Sequence, residues 1–301
     1  MNDIVFANRR KRMSASVIGL GQIGSAIVPR LLSLGEKVIV WNRSRTAIDK
    51  LIRPGVIPAS DISDAFAADI VLSALFDDEA VRSVFTPARL ERASDLGSLH
   101  VCLSTVSPDL TEELASLHAS LGVGYLAAPL FGRPEAVARG EANICVAGGE
   151  AAIERARPYL ECFGRVWRVG VEPRQASVAK LCGNFMIGAA IEAMAEAAGL
   201  VRATDGDAGA FMSLMTNTLF SSPVYRNYAA SVLGASPLQP SGLALPMKDM
   251  SLLSAVSRNA SVPTKVLDAL RESLSSADAV GFGHQDWSVA LGNAARRAVS
   301  A

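Results

Sequence analysis

A lysine and an asparagine four residues apart, Lys180 and Asn184, are the side chains in this sequence best placed for acid–base chemistry. On a helix this spacing puts both side chains on one face. The surrounding segment is apolar, and an apolar environment disfavours the charged form of a lysine, which helps it to exchange protons near neutral pH. A purely structural interpretation stays open: the lysine extends to solvent along its own stem, and the asparagine bonds to the backbone.

The elements that would position this pair begin with a glycine series near the N-terminus. A short apolar run, the glycines, a helical pattern and a second apolar run follow one another, which is the context of a dinucleotide-binding fingerprint. The first glycine permits a tight turn, the second lets pyrophosphate approach the backbone, and the third lets helix and strand pack closely. The predicted phosphate-binding turn comprises Gly19, Leu20, Gly21, Gln22, Ile23 and Gly24. The alternative is a glycine turn in an ordinary βαβ unit.

The end of the second apolar run indicates which dinucleotide binds. An acidic residue at this place accepts the adenosine ribose hydroxyls of NAD. Asn42, Arg43 and Ser44 stand there instead. An amide, a guanidinium and a hydroxyl can bind the 2′-phosphate that a carboxylate would repel. The sequence therefore predicts NADP(H) rather than NAD(H); the alternative is that Arg43 is a solvated surface charge.

Composition limits the classes of function. The chain has 301 residues, half of them apolar, with 29 basic and 29 acidic side chains, so binding of bulk nucleic acid is not expected. The sequence shows neither a secretory signal nor an uninterrupted apolar run of membrane length, so no membrane partner is expected. The four cysteines lack C-x-x-C spacing and predict reduced thiols in a cytoplasmic protein. No metal site is assigned.

The chain divides into regions of different pattern. Residues 1–13 contain a basic run without periodicity and are expected to be a disordered extension. Residues 14–173 alternate β runs with helical segments, which predicts an α/β fold: a Rossmann-type NADP-binding domain with a mainly parallel sheet. Residues 174–202 are predicted to form a long interdomain helix, and residues 203–301 an all-helical domain for substrate binding and dimerisation. The expected strands are 15–20, 38–41, 69–73, 99–104, 124–128, 143–147 and 165–169, and the expected C-terminal helices are 206–217, 223–233, 243–258, 262–276 and 286–299.

Five segments, in order over residues 14–295, resemble the β-hydroxyacid dehydrogenase family of the 6-phosphogluconate dehydrogenase-like superfamily. They are the glycine fingerprint with Asn42-Arg43-Ser44, residues 103–108 (LSTVSP), Lys180 with Asn184, residues 246–249 (PMKD) and residues 283–288 (GHQDWS).

The resemblance implies roles for individual residues. Lys180 would be the catalytic acid and base, and Asn184 would help to hold the substrate. Thr105 would lie beside the cofactor near the nicotinamide, and Lys248 would reach into the cofactor cleft from the helical domain. Ala74 and Leu75, after the third expected strand, are assigned to the cofactor, and Ser104 to the substrate. The resemblance also implies a homodimer or homotetramer whose helical domains intertwine.

One turn departs from the family pattern. Most members have a glycine-rich turn there whose backbone amides hold the substrate carboxylate, whereas this chain has Phe131, Gly132 and Arg133. Phe131 replaces a small polar residue and would favour a more apolar substrate. Arg133 would supply a cation for a carboxylate, or would point to solvent. All three residues are assigned to the substrate site, and the family's hydroxyacid specificity is not carried over.

The sequence thus predicts an NADPH-dependent oxidoreductase that interconverts a small carbonyl compound and its alcohol, of the hydroxyacid dehydrogenase or semialdehyde reductase type, with Lys180 exchanging the proton. Imine reduction is the nearest alternative, because imine reductases share this architecture. They typically have another residue in place of the lysine, so Lys180 favours the dehydrogenases, whereas Phe131 favours the imine reductases. A non-catalytic NADP-binding protein is a third interpretation.

Overall fold

The computed structural model of the chain describes residues 15–35, 37–66, 68–91, 97–235 and 241–300. The expected extension at residues 1–13 lies outside the described residues. The chain separates into two compact units, Met1–Lys180 and Leu181–Ala301. The division falls within the long helix that the sequence predicts between the domains.

A single sheet organises the first unit, and most of its neighbouring strands are parallel. Its strands are β1 (Ala15–Ile18), β2 (Val38–Trp41), β3 (Val56–Pro58), β4 (Ile70–Ser73), β5 (Leu99–Cys102), β6 (Gly124–Ala127), β7 (Leu130–Phe131), β8 (Ala142–Ala147) and β9 (Gly164–Gly170). The spatial order is β3-β2-β1-β4-β5-β6-β8-β7, and β9 pairs with β8. The pairs β6–β8 and β7–β8 are antiparallel. The chain reverses its strand order beside β1, and such a switch point is where open α/β sheets bind ligands.

Helices connect these strands and cover both faces of the sheet. They are α1 (Gln22–Leu32), α2 (Arg45–Asp49), α3 (Ile62–Ala65), α4 (Asp78–Val84), α5 (Pro87–Glu91), α6 (Pro108–Ser120), α7 (Pro134–Arg139) and α8 (Glu150–Leu160). One apolar cluster includes Val17, Ile27 and Phe163, and the other includes Ile18, Phe66 and Leu110. Val17 and Ile18 are adjacent in β1, so alternate side chains of this strand enter opposite cores. The predicted α/β fold class is confirmed.

Helix α9 (Pro173–Ala203) is 31 residues long and crosses the boundary between the compact units. It is, among the described residues, the one helix long and apolar enough to cross a membrane by length and composition, with a mean hydropathy of 1.3 over its most apolar window. Core helices of soluble proteins pass the same test. One third of that window (33%) is buried within the single chain.

Every regular element among the described residues of the second unit is a helix. The unit contains the remainder of α9 with α10 (Ala208–Asn217), α11 (Pro223–Leu233), α12 (Ala244–Ala260), α13 (Lys265–Ala277), a π-helical segment (Asp278–Phe282) and α14 (Trp287–Ser300). Proline stands at the first turn of α11, where its missing N–H costs nothing. One apolar cluster, including Leu181, Met250 and Leu270, holds these helices together.

Candidate functional site

The glycine turn joins β1 to α1 at the carboxyl edge of the sheet. Gly19 has a φ of +91°, and a Cβ atom there would lie 2.4 Å from the carbonyl oxygen of Ala74. A Cβ on Gly24 would lie 1.9 Å from the carbonyl oxygen of Gly19, so only glycine lets the helix approach the turn. Gly21 differs, because a Cβ there would meet nothing within 4 Å. The open side of Gly21 leaves room for a phosphate at the start of α1, where the fingerprint requires it.

The first turn of α1 provides backbone donors for that phosphate. Gly21 is the N-cap and makes no side-chain capping bond to the helix. The N–H groups of the first turn of a helix have no intrahelical acceptor, and the helix dipole favours an anion there. Gln22 is exposed and Ile23 is half-buried. The N–H of Leu20 is already used, because it donates to Asn42 Oδ1 at 3.0 Å. The residues present therefore fit a dinucleotide.

Asn42, Arg43 and Ser44 follow β2 at the same edge of the sheet. Asn42 is fixed by two bonds, accepting from Leu20 and donating to the carbonyl oxygen of Ser44 at 3.1 Å. Arg43 and Ser44 are exposed. Within the described part of the chain, no carboxylate lies within 4.0 Å of the Arg43 guanidinium, whereas Arg45 pairs with Asp49 at 3.0 Å. Among the described residues, Arg43 is thus a cation without a local anion, next to the glycine turn.

The ends of β4 and β5 bring four more predicted residues to this edge. The Ala74 N–H donates to the Ile18 carbonyl at 2.9 Å, and the Leu75 N–H donates to Ser104 Oγ at 2.8 Å. Ser104 is only 5% exposed, and its bond to Leu75 joins the loop after β5 to the loop after β4. Thr105 is half-buried. Thr105 is the more exposed of the two residues.

Lys180 lies at the end of the first unit, on a part of α9 that the sheet domain fixes. One turn earlier, Ser177 Oγ is 2.7 Å from Thr111 Oγ1 of α6, and both residues are buried. Lys180 is itself 8% exposed, and its Nζ lies 4.2 Å from the centre of the Phe131 ring. This distance is within the range of a cation–π interaction. Lys180, the predicted acid–base residue, therefore contacts Phe131, one of the residues that depart from the family pattern.

Cys145 of β8 is a neighbour of Lys180 that the sequence did not single out. Burial raises the pKa of the Cys145 thiol, and the positive charge of Lys180 opposes that rise. The thiol is therefore neutral at physiological pH. Arg133, also in the predicted substrate turn, is half-buried and lies 3.9 Å from Glu135 Oε2 through its Nε. A Cβ on Gly132 would lie 3.2 Å from Ala142 Cβ, so the turn packs tightly against β8.

The second unit positions the other predicted polar residues around a buried carboxylate. Asn184 donates through Nδ2 to Asp249 Oδ2 at 2.6 Å. Lys248 Nζ lies 3.1 Å from Asp249 Oδ1. The angles at this contact do not suit a hydrogen bond, so the two groups form an ion pair. Asp249 is 1% exposed. The sequence predicted Asn184 and Lys248 as site residues but not Asp249. Asp249 directly follows Lys248 in the PMKD segment, and that position could have indicated it.

A buried histidine pair behind the β4 and β5 edge also escaped sequence analysis. His100 Nδ1 lies 2.9 Å from His118 Nε2, and His100 Nε2 lies 2.8 Å from Ser73 Oγ. Burial, with a smaller contribution from His118, holds the pKa of His100 well below its usual value. Burial lowers the pKa of His118 to about 4, against a smaller opposing effect of its bond to the Leu114 carbonyl. The signal in the sequence was a histidine inside an apolar strand.

Comparison with known proteins assigns the family. The family described as the NAD binding domain of 6-phosphogluconate dehydrogenase matches residues 14–188. The family described as NAD-binding of NADP-dependent 3-hydroxyisobutyrate dehydrogenase matches residues 175–293. The chain is similar to the uncharacterized oxidoreductase YfjR of Bacillus subtilis, with 32% identity over 93% of this chain and 99% of that protein.

Solved structures agree on the fold. The 3-hydroxyisobutyrate dehydrogenase of Mycobacterium tuberculosis, with L-serine, has a TM-score of 0.84 and 24% identity, covering 94% of this chain and 99% of that one. An imine reductase of Myxococcus stipitatus, in complex with NADP+, has a TM-score of 0.63 and 23% identity, covering 92% of this chain and 98% of that one. The chain therefore belongs to the 3-hydroxyisobutyrate dehydrogenase-like family of the 6-phosphogluconate dehydrogenase superfamily and is an NAD(P)-dependent oxidoreductase that acts on CH–OH groups.

Proposed function

We propose, from this family membership, that the chain is an NADPH-dependent enzyme that interconverts a small carbonyl compound and its alcohol. Lys180 is the proton donor in reduction and the proton acceptor in oxidation. The observation that carries the proposal is the burial of Lys180, at 8% exposure, on a helix that carries Asn184 one turn further on. A desolvated ammonium stabilises a developing alkoxide far more than a solvated one does.

NADP(H) is the form of the cofactor that the residues after β2 support. Arg43 would bind the 2′-phosphate, with Asn42 and Ser44 beside it, and the first turn of α1 would hold the pyrophosphate. The fixed amide of Asn42 supports this assignment, because it orders the loop that presents Arg43. The nicotinamide supplies or accepts the hydride when the cofactor is bound.

The remaining chemistry belongs to side chains of this chain. In reduction, the carbonyl oxygen gains negative charge, and Lys180 Nζ transfers a proton to it, which leaves a neutral amine and the alcohol. In oxidation, the neutral amine accepts the hydroxyl proton. Asn184 orients the substrate, and its bond to Asp249 supports this role because it fixes the amide in one orientation. Thr105, which is half-buried, contributes a hydroxyl for the same oxygen.

Replacing Lys180 tests the proposal directly. Lys180→Ala should lower kcat about 100- to 10,000-fold with a carbonyl substrate, since a positioned acid contributes that much. The Kd for NADPH, measured by fluorescence, should change little. Lys265→Ala, at an exposed lysine on α13, serves as the matched control and should keep wild-type kcat. Near-wild-type turnover by Lys180→Ala would show that the lysine is not the acid.

Imine reduction is a second candidate, and the half-buried ring of Phe131 beside Lys180 is the observation that favours it. Consumption of NADPH with succinic semialdehyde, glyoxylate and a cyclic imine separates the two reactions. We expect turnover of the carbonyl compounds and at most slow turnover of the imine. Turnover of the imine alone would reverse the assignment, and tight NADPH binding without any turnover would favour a non-catalytic role.

A further inference from the structure

Phe131 occupies a position that the sheet fixes. It is the last residue of β7, and it pairs with Asn143 of the antiparallel strand β8. The preceding turn is held to the same strand, because the Cys145 N–H donates to the carbonyl oxygen of Pro129 at 2.8 Å. The ring of Phe131 is half-buried. Its location therefore depends on the sheet and not on a mobile loop.

The Lys180 ammonium lies against the face of the Phe131 ring. The distance from Nζ to the ring centre is 4.2 Å, and the lysine is 8% exposed. Attraction between a cation and a ring face is stronger when water is excluded. A lysine side chain has a flexible four-carbon stem, so a fixed ring that attracts its end restricts the positions of the ammonium.

The chemistry of this surface limits what can bind beside the ammonium. A phenyl ring offers a carboxylate neither a hydrogen-bond donor nor a charge. The thiol of Cys145, on the other strand near Lys180, is neutral and a weak donor. The Phe131 ring and the Cys145 thiol thus form an apolar surface beside Lys180, and a carboxylate placed on that surface would lose its hydration there without replacement bonds.

We infer that Phe131 positions the Lys180 ammonium and determines specificity, so that the preferred substrates are carbonyl compounds whose carbon chain ends in an apolar group rather than a carboxylate. This inference rests on the proposed function for its substrate class. The positioning role stands on the geometry of Phe131 and Lys180 and is measurable without turnover.

The positioning role is tested by NMR of protein labelled with 13Cε-lysine. The ring current of Phe131 should move the Lys180 signal upfield, and Lys180→Arg identifies that signal by its loss. In Phe131→Leu the upfield shift should disappear, and the order parameter of the Lys180 Cε methylene from 13C relaxation should fall, because the ammonium is no longer held against a ring. Phe131→Tyr keeps a ring and should retain both properties, and Phe220→Leu, in the second unit, is the matched control. An unshifted wild-type signal, or an unchanged order parameter in Phe131→Leu, would overturn the positioning role.

The substrate class is tested with two aldehydes of the same shape, 4-methylpentanal and succinic semialdehyde, which differ in an isopropyl group or a carboxylate. We expect the wild type to favour 4-methylpentanal in kcat/KM by about tenfold or more. Phe131→Ser should reduce that ratio about tenfold, while Phe131→Leu should keep it. A wild type that prefers succinic semialdehyde, or a ratio that Phe131→Ser leaves unchanged, would overturn the substrate class. Failure to reduce either aldehyde, with the NMR results as expected, would overturn the proposed function and the substrate class but leave the positioning role intact.

Discussion

Arg43 is the residue on which the choice of cofactor depends. Its neighbour Asn42 is held by bonds to Leu20 and Ser44, so the backbone that carries Arg43 is ordered by the glycine turn itself. The exposed guanidinium has no carboxylate within 4.0 Å among the described residues. Binding a phosphate there would form charge-assisted hydrogen bonds to this guanidinium.

Arg43→Gln should raise the KM for NADPH about 10- to 100-fold, because it removes charge-assisted bonds to the 2′-phosphate. The KM for NADH, which lacks that phosphate, should change less than about threefold. Steady-state kinetics with both cofactors measures the difference. Arg157→Gln, at an arginine of α8 that pairs with Glu154 and Glu161, is the control and should leave both values unchanged. Equal effects on NADPH and NADH would count against 2′-phosphate binding.

At the residue scale, the sequence contains local spacing but not long-range contacts. The assignment of Lys180 and Asn184 to the site stays a prediction, drawn from a spacing that places residues four apart on one face of a helix. The contact of Lys180 with Phe131 was not predictable, because the two residues are far apart in sequence, Phe131 at the end of β7 and Lys180 on α9. The bond between Asn184 and Asp249 is also long-range and depends on how α9 and α12 pack. Spacing alone contains no information on that packing.

At the scale of elements, a polar chain inside the first unit joins β4, β5 and α6. Ser73, His100 and His118 form consecutive hydrogen bonds, and His118 Nδ1 lies 2.7 Å from the Leu114 carbonyl. Phe85 stacks on the His100 ring with a centroid distance of 3.9 Å. Both histidines are 0% exposed, so neither can take up a proton without placing a charge in an apolar core.

This pair should make the fold sensitive to acid. Folding lowers the pKa of both histidines. Below a pH of about 6.5, the two histidines therefore bind protons in the unfolded chain but stay neutral in the folded chain. The stabilisation is complete above that pH and is lost as the pH falls toward the folded value, about 4 for His118. Between pH 7.5 and pH 5, His118 should cost the fold on the order of 2 kcal/mol, and His100 should add to that loss. Urea unfolding at the two pH values measures the loss.

Two variants isolate the effect of the pair. His118→Gln should reduce the loss between the two pH values, because one of the two titrating groups is gone. His284→Gln removes the exposed histidine of the second unit and should leave the loss as in the wild type. A His118→Gln protein with the full wild-type loss would mean that other groups cause the acid sensitivity.

Element types were largely predictable, and the omissions have physical causes. The strands β1, β2, β4, β5, β6, β8 and β9 and all the helices from α9 onward overlap the expected segments. Strand β3 is three residues long and ends in a proline, and β7 has two residues, so neither has enough sequence for a pattern. The π-helical segment after α13 contains Gly281 at a φ of +93°, a local break that periodicity does not indicate.

At the scale of the whole molecule, α9 combines a buried and an exposed apolar face. Leu181, Ile191 and Ala198 are fully buried in the second unit. Met186 and Leu200, on the same helix, are each 70% exposed. Single exposed apolar residues are ordinary, but Leu214 at 56% and Leu219 at 79% add to the exposed apolar surface of this unit. We propose that a second copy of the chain covers these residues, as the family resemblance implies.

Charge placed on that face should therefore separate the subunits. Light scattering on the wild type should give at least twice the 31.5 kDa mass of one chain at micromolar concentration. The double variant Met186→Glu with Leu200→Glu should lower the mass toward a monomer, because buried carboxylates without partners are costly at an interface. Ile52→Glu changes a 52% exposed apolar residue of the first unit and should keep the wild-type mass. A monomeric wild type, or an unchanged mass in the double variant, would show that the exposed face of α9 is not where subunits meet.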